Sequence, residues 1–204
     1  MTTKKIGSTI VSFVDGMQPQ DAQDIQDCLL YAELQANAVG SKEVFDWVST
    51  YQAALLKLGF TLDAYVVDQP VVVTSPHEVL NYAIQIKGIE SSQQLAKSVG
   101  QLLSMLTLEQ QVSKYLYDDV GSGGASGYQC APCEAITGGK IAVFVCALIV
   151  TCDVYGSKVH ERTVTVNSKG GAFIFDSTLF ASLRAQVQDA VREQAVSMIK
   201  DIKR

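Results

Sequence analysis

The most apolar stretch of the chain reads Lys140-Ile-Ala-Val-Phe-Val-Cys-Ala-Leu-Ile-Val-Thr-Cys-Asp-Val-Tyr155. If this stretch is extended, alternate side chains point to opposite faces, and both faces are apolar over its first ten residues. Its β-branched content and the turn signals at 138–139 and 156–157 favour a strand over a short buried helix. The stretch therefore predicts a central strand that is covered on both sides.

Further strands are predicted on both sides of this one in the sequence. Residues 159–166 alternate, with Val164 and Val166 facing inward, and the glycine pair 170–171 predicts a turn before another short strand at 172–175. Upstream, the Gly/Ser-rich run 121–127 predicts a linker, because it contributes nothing to a packed core. These segments together predict a small antiparallel β-meander.

Helical periodicity dominates the rest of the chain. It predicts a helix from Pro19 to Gly40, a second from Ser41 to Gly59, and others that begin near Ser75 and Ser91. Asp176 is expected to cap a final amphipathic helix of about 25 residues that covers one face of the meander. The predicted fold class is α+β. It comprises a mainly helical region (1–120), the linker (121–127), and the meander with its C-terminal helix (128–204), packed as one compact unit.

Charge and hydropathy narrow the choice of partner and location. The net charge is −5, and the 16 Lys and Arg residues form no cluster, so no nucleic-acid partner is expected. The longest apolar run, 141–150, is shorter than the roughly 18 residues that a spanning helix needs. The first residues show no signal-peptide core. We expect cytoplasmic synthesis, with any export following a route that needs no signal peptide.

The motif Cys130-Ala-Pro-Cys133 is the sharpest chemical feature of the sequence. A CxxC pair suits thiol–disulfide chemistry when its first cysteine begins a helix after a strand, whereas here a glycine-rich run precedes it. A metal ion would need further ligands, and the sequence has no second Cys or His pair at ligand spacing. A structural role for the two thiols is therefore favoured over a redox role. Neither a metal nor a cofactor is predicted.

The remaining polar residues predict no catalytic group. His77 lies at a helix start and His160 beside a turn, and no triad can be built around either. Asp24, Asp27 and Glu33 are expected on a solvated helix face. The glycine runs match no phosphate-binding motif. The sequence therefore argues against most classes of enzyme.

A resemblance to a known group of proteins is carried by two helical segments and a later Pro-Cys pair. The segments are Leu30-x-Ala32-x-Leu34-x-Ala36-Asn37 and Trp47-x-x-x-Tyr51-x-x-x-Leu55-x-x-x-Gly59-Phe60, followed by a small-residue linker and Pro132-Cys133. They resemble a family of uncharacterised small bacterial proteins of the pseudomonad type. The resemblance implies a helical first half, a Gly/Ser linker, an apolar meander and a capped C-terminal helix. It implies no activity and no catalytic residues. Where those relatives often carry an aromatic-rich strand, this chain has 159–166, so no aromatic surface site is expected.

These observations favour a non-enzymatic interaction protein that associates with itself or with a protein partner. In its sharpest form the hypothesis is a membrane-active or pore-forming, toxin-like protein that acts as an oligomer. The residues predicted to contact a membrane or another copy are Val143, Phe144, Val145, Leu148 and Ile149. One alternative is a thiol-dependent redox protein or enzyme that uses Cys130 and Cys133. Another is a structural subunit of a larger bacterial assembly.

Overall fold

The computed structural model describes residues 2–40, 44–65, 70–78, 98, 101–102, 108–117, 124–154 and 162–202. The strands are β1 (Thr2–Ile6), β2 (Thr9–Phe13), β3 (Phe60–Tyr65), β4 (Val71–Val73), β5 (Gly124–Ala135), β6 (Lys140–Val154), β7 (Arg162–Asp176) and β8 (Ile199–Asp201). The helices are α1 (Pro19–Ala38), α2 (Val44–Lys57), α3 (Leu108–Tyr117), α4 (Ser177–Phe180) and α5 (Arg184–Met198). A short 3₁₀ turn, Thr137–Gly139, joins β5 to β6.

The strands form one eight-stranded sheet in the order β3-β7-β6-β5-β2-β1-β8, with β4 paired to β7 beside β3. Strands β5, β6 and β7 are consecutive and antiparallel, as in the predicted meander. Strand β2 joins them by pairing with β5 in parallel, and the other described pairs are antiparallel. The sheet is therefore mixed, and the three long strands lie inside it.

Side chains of β6 alternate between two apolar clusters on opposite faces of the sheet. Val143 and Val145 pack against residues of α1, α2 and α5, on the side that we call the α1 face. Phe144 and Leu148 pack with Leu102 and with residues of α3, on the side that we call the α3 face. The prediction of a central strand covered on both sides is confirmed.

The predicted fold class is wrong in its arrangement, although the chain does combine helices with a sheet. The first half of the chain supplies four strands, β1 to β4, so the sheet is a central layer rather than a small C-terminal meander. Sequence patterning misses β1 because Thr2-Thr-Lys-Lys-Ile6 shows no apolar alternation. This strand forms because the sheet already offers it a partner in β2, and its position near the edge leaves Lys5 exposed.

The predicted linker overlaps the start of β5. Residues 124–127 belong to this strand and pair with β6, from Gly124 opposite Cys152 to Gly127 opposite Ile149. Residues 121–123 lie outside the described residues. The division of the chain into separate regions at this point stays a prediction.

The first two helices follow the sequence periodicity. Helix α1 begins at Pro19, and α2 ends two residues before Gly59. Gly40 and Gly59 adopt positive φ angles of 64° and 87°, as expected of glycines that end helices. Of the helix predicted near Ser75, residues 76–78 are helical, and its remainder lies outside the described residues, as does most of the helix predicted near Ser91.

The C-terminal segment is interrupted where one long helix was expected, so that prediction is wrong in its length. Asp176 caps α4 as predicted, because its Oδ1 accepts hydrogen bonds from the backbone N–H groups of Thr178 (3.0 Å) and Leu179 (3.4 Å). The chain then turns at 181–183 before α5 and continues as β8 along β1. Helix α5 still covers the α1 face, where Val187 and Val191 are buried.

Gly170 and Gly171 lie inside β7, so the prediction of a turn at this glycine pair is wrong. They pair with Cys146 and Val145 of β6. A Cβ atom on Gly170 would overlap the carbonyl oxygen of Val145, and one on Gly171 would lie 2.7 Å from the carbonyl oxygen of Ala64 in β3. Glycine is needed here because β7 approaches both neighbouring strands closely.

The substitution Gly170→Ala should lower the free energy of unfolding by about 3 kcal/mol, because the added methyl group must push β7 away from β6. Gly16→Ala is the control, since Gly16 has a φ of 93° and no atom within 4 Å of the added Cβ. Its cost should be about 1 kcal/mol, from backbone strain alone. Urea unfolding followed by circular dichroism measures both values, and equal costs would contradict the assigned packing.

Candidate functional site

Strand β6 contributes buried apolar side chains to the clusters on both faces of the sheet. The residues predicted to contact a membrane or another copy are all 1% exposed or less, and they are Val143, Phe144, Val145, Leu148 and Ile149. The structure divides them between the two faces, because neighbouring residues of a strand point in opposite directions. Their role in membrane or oligomer contact stays a prediction, since in this structure helices cover both clusters.

Three acidic residues of α1 are buried against the rest of the protein. Asp24, Asp27 and Glu33 are 0%, 3% and 4% exposed, so the expected solvated helix face is wrong for them. Each has hydrogen-bond donors that compensate for its loss of hydration. Glutamines one turn earlier, Gln20 and Gln23, donate to Asp24 and Asp27 at 2.8 Å. This spacing of four residues is the sequence signal that could have revealed the buried acids.

Asp24 joins α1 to α5 through a bidentate ion pair. The Nε and Nη2 atoms of Arg184 donate to the two carboxylate oxygens of Asp24 at 2.9 and 2.7 Å. Nearby, Gln188 Nε2 donates to Asp27 Oδ2 at 3.3 Å. Burial raises the pKa of Asp27, and hydrogen bonds from Gln23 and Gln188 oppose the rise. These contacts hold the two helices together as one layer over the α1 face.

Glu33 connects this layer to the turn between β1 and β2 through hydrogen bonds. Its Oε1 accepts a hydrogen bond from the Ser8 backbone N–H at 3.1 Å, and its Oε2 accepts one from Ser8 Oγ at 2.8 Å. The carboxylate fills the space beside Gly7, where a Cβ atom would lie 2.5 Å from the carboxyl carbon. Burial raises the pKa of Glu33, and the bonds from Ser8 oppose the rise. An ionisable group is thus held at the boundary between helix and sheet.

Helix α2 is tied to the sheet at two further points. Under the helix, Gln129 Nε2 donates to Thr9 Oγ1 at 2.6 Å, and Thr9 Oγ1 donates to the Tyr51 hydroxyl at 3.4 Å. Burial raises the pKa of Tyr51, so its hydroxyl stays protonated. Lys169 of β7 donates through Nζ to the Phe45 carbonyl oxygen at 3.4 Å and also to Ser49 Oγ.

A cleft of about 430 Å³ opens between β1, β2 and the start of α1. On its wall, Lys4 Nζ donates to Gln26 Oε1 at 2.8 Å and lies 3.9 Å from Asp201 Oδ1. The ammonium group is therefore already engaged by the protein. The hydrogen bond from Lys4 of β1 to Gln26 of α1 adds one more contact between this helix and the sheet.

The α3 face has its own covering layer. Leu102, with Val112 and Tyr115 of α3, packs on β6 and β7. The Tyr115 hydroxyl lies 2.9 Å from Ser126 Oγ of β5. The described side chains of this layer thus pack on the sheet through an apolar cluster.

The structure places the two cysteines of the CxxC motif on opposite faces of β5. Cys130 belongs to the cluster on the α3 face and Cys133 to the cluster on the α1 face, and both are buried and not disulfide-bonded. Cys133 Sγ lies 3.4 Å from the carbonyl oxygen of Ala131, and burial raises the pKa of its thiol. Residues three apart in a strand face opposite ways, so strand geometry separates the pair.

Of the two histidines, His77 lies on the surface. Its Nδ1 is 3.2 Å from Oε1 of Glu109 at the start of α3, and its side chain is 83% exposed. His160 lies outside the described residues. Within the described ranges, no group of three or more His, Cys, Asp and Glu side chains is placed to hold a metal ion. Among the described helices, none has the length and hydropathy needed to cross a bilayer.

Replacing Arg184 by Gln should lower the free energy of unfolding by about 3 kcal/mol, because it leaves the carboxylate of Asp24 buried without its partner charge. Arg192→Gln on the same helix is the matched control. Its ion pair with Asp189 is exposed, with the two side chains 80% and 75% accessible, and should contribute less than about 1 kcal/mol. Denaturant unfolding of both variants measures the difference, and similar losses would contradict a specific tie between α1 and α5.

The variant Glu33→Gln should flatten the dependence of stability on pH. Because the pKa of Glu33 is raised in the folded protein, the folded state binds this proton more tightly than the unfolded chain. Glu33 therefore stabilises the fold at low pH, and this contribution is lost as the pH rises above 4.5 and through the folded pKa. Unfolding free energies measured from about pH 4.5 to 7 should fall less steeply in the variant.

The control for this titration is Glu193→Gln, which removes the same charge from an exposed position on α5. It should leave the slope unchanged. A Glu33→Gln protein with the wild-type slope would show that the buried carboxylate does not titrate in this range.

Comparison with known proteins assigns no family to the chain, since no protein-family model and no curated protein matches it. Among solved structures it is similar to a delta-endotoxin, at 14% identity over 83% of each chain and a TM-score of 0.45. It is similar to the activated Cyt2Ba monomer from Bacillus thuringiensis subsp. israelensis, at 16% identity over 81% of this chain and 96% of that one, with a TM-score of 0.44. The Evf virulence factor matches at 12% identity over 92% of this chain and 79% of that one, with a TM-score of 0.43. These scores are too low to establish a common fold or a common function.

Proposed function

We propose that this chain is a non-enzymatic, membrane-active protein that presents the apolar faces of its central sheet to a lipid bilayer and associates with other copies there. The observation that carries the proposal is strand β6, which is apolar on both faces and lies between two helical layers. Each buried aliphatic or aromatic side chain contributes about 1.5–3 kcal/mol when it leaves water. A bilayer interior offers such side chains the same apolar environment as the helices do.

The length of the strands supports contact with the whole apolar thickness of a bilayer. Strands β6 and β7 have 15 residues each and β5 has 12. At about 3.3 Å per residue, 15 residues extend over roughly 50 Å, compared with about 30 Å for the hydrocarbon core of a bilayer. The three strands are already hydrogen-bonded to one another, so their shared backbone groups need no partner from the lipid.

The unpaired backbone groups at the edges of the sheet support self-association in the membrane. Backbone N–H and C=O groups of an edge strand find no hydrogen-bond partner in hydrocarbon, and each unpaired group costs several kcal/mol there. In this sheet the strands that flank the three long ones are β3 and β4 beside β7 and β2 beside β5, with six, three and five residues, so they protect the long strands only in part. A second copy can supply the missing partners, which supports an oligomer as the membrane-bound form.

The layer on the α1 face must separate from the sheet in this proposal. Polar contacts between that layer and the sheet include the pairs Glu33–Ser8, Tyr51–Thr9 and Lys169–Ser49. Each such hydrogen bond contributes about 1 kcal/mol to stability, so the loss of one should ease separation measurably. The ion pair of Asp24 with Arg184 lies within the layer and does not oppose its departure.

The test is leakage of an encapsulated dye from phosphatidylcholine vesicles, combined with sedimentation analysis of the protein with and without vesicles. We choose uncharged vesicles because the net charge of −5 disfavours an anionic surface. The wild type should release dye and sediment as an oligomer with the vesicles. Lys169→Gln should release dye severalfold faster, because it removes a tie between β7 and α2.

Lys57→Gln is the matched control, since it removes the same charge from an exposed position on α2 and should leak at the wild-type rate. A wild-type protein that stays monomeric and leaves the vesicles intact would overturn the proposal. Such a result would favour the alternative of a subunit in a larger assembly.

A further inference from the structure

The partner that the fold gives Cys130 is Cys146. The two residues are directly opposite each other in the antiparallel pair β5–β6. Both side chains belong to the cluster on the α3 face, and they are 1% and 0% exposed. The two side chains therefore lie next to each other inside the core.

Strand register separates this pair from the other three cysteines. Cys133 faces the opposite side of the sheet, and Cys28 belongs to α1. Cys152 shares the α3 face but lies six residues further along β6, opposite Gly124. Of these five thiols, only those of Cys130 and Cys146 meet as pairing partners in adjacent strands.

The geometry of opposed residues is close to that of a disulfide. Cβ atoms of directly opposed residues in an antiparallel pair lie about 4.5–5.5 Å apart, and a disulfide requires about 3.5–4.5 Å. Bond formation therefore requires the two Cβ atoms to approach by about 1 Å.

We propose that Cys130 and Cys146 form a redox-active cross-strand pair that a hydroperoxide oxidises to an intramolecular disulfide. One thiol, as its thiolate, attacks a peroxide oxygen of hydrogen peroxide, the O–O bond breaks, and a sulfenic acid and one water form. The second sulfur attacks the sulfenic sulfur, the S–O bond breaks, and a second water leaves. Two thiols lose two protons and two electrons, and one hydrogen peroxide takes them up and becomes two waters.

Burial controls the rate of this reaction. The neighbouring Cys130 thiol and burial raise the pKa of the Cys146 thiol well above its usual value, so little thiolate is present in the closed protein. Oxidation should therefore proceed through transient opening of the layer on the α3 face. Once formed, the disulfide joins the two central strands and restricts the unfolded chain, which raises the melting temperature.

Exposure of the purified wild-type protein to hydrogen peroxide tests this proposal. The protein is incubated at 25 °C and again a few degrees below the melting temperature, because opening of the layer on the α3 face can be slow at the lower temperature. Intact mass should fall by the mass of two hydrogen atoms, and two of the five cysteines should escape alkylation after denaturation. Peptide mapping should identify a Cys130–Cys146 linkage, and the melting temperature should rise by several degrees and return on reduction.

Cys146→Ala should abolish the mass change, whereas Cys133→Ala should retain it. Cys133 is the matched control because it is also buried, lies in β5 with Cys130 and faces the other side of the sheet. Each variant lacks only the substituted cysteine and keeps all the others. A wild-type protein that still has five alkylatable thiols after both incubations would overturn the proposal. So would a linkage between any other two cysteines, or oxidation of one cysteine without a disulfide.

Discussion

The structure depends on the burial of both faces of strand β6. A ten-residue stretch with no polar face cannot lie at the edge of a sheet or on the surface of a protein without exposing apolar area to water. It therefore needs a strand on each side and a layer above and below. Strands β5 and β7 supply the first requirement, and the helices of the α1 and α3 faces supply the second. The remaining elements extend or close this arrangement.

The layer on the α1 face is held by buried polar contacts as well as by apolar packing. On the α1 face, carboxylates are buried between helices and at the helix–sheet boundary, where Asp24 and Glu33 each accept specific hydrogen bonds. Such groups add little net stability, because their hydrogen bonds mainly offset lost hydration. They do determine how α1 is oriented over the sheet, since a rotated helix would leave the charges unpaired. The α3 face carries the cysteine pair within an apolar cluster.

Contacts between adjacent strands explain two residues for which the local sequence predicts a different role. Gly170 resembles a turn residue in the sequence, yet it lies where β7 passes so near β6 that no side chain fits. Cys130 resembles half of a CxxC motif, yet the residue across from it is Cys146. In both cases the neighbour that matters is adjacent in space and distant in sequence. A proposal about the chemistry of either residue therefore depends on the strand register.

The sequence by itself determined the local elements. Apolar runs and periodicity predicted β6, α1 and α2 with nearly correct bounds, and Asp176 was identified as a cap, because these features depend on residues within a few positions of one another. The tertiary structure alone decided the membership of the sheet. Strand β1 has no apolar alternation, and the parallel pair β2–β5 joins residues that are about 120 positions apart, from Thr9 opposite Gln129 to Phe13 opposite Cys133. Such pairing is stabilised by contacts across the whole fold, so no local pattern encodes it.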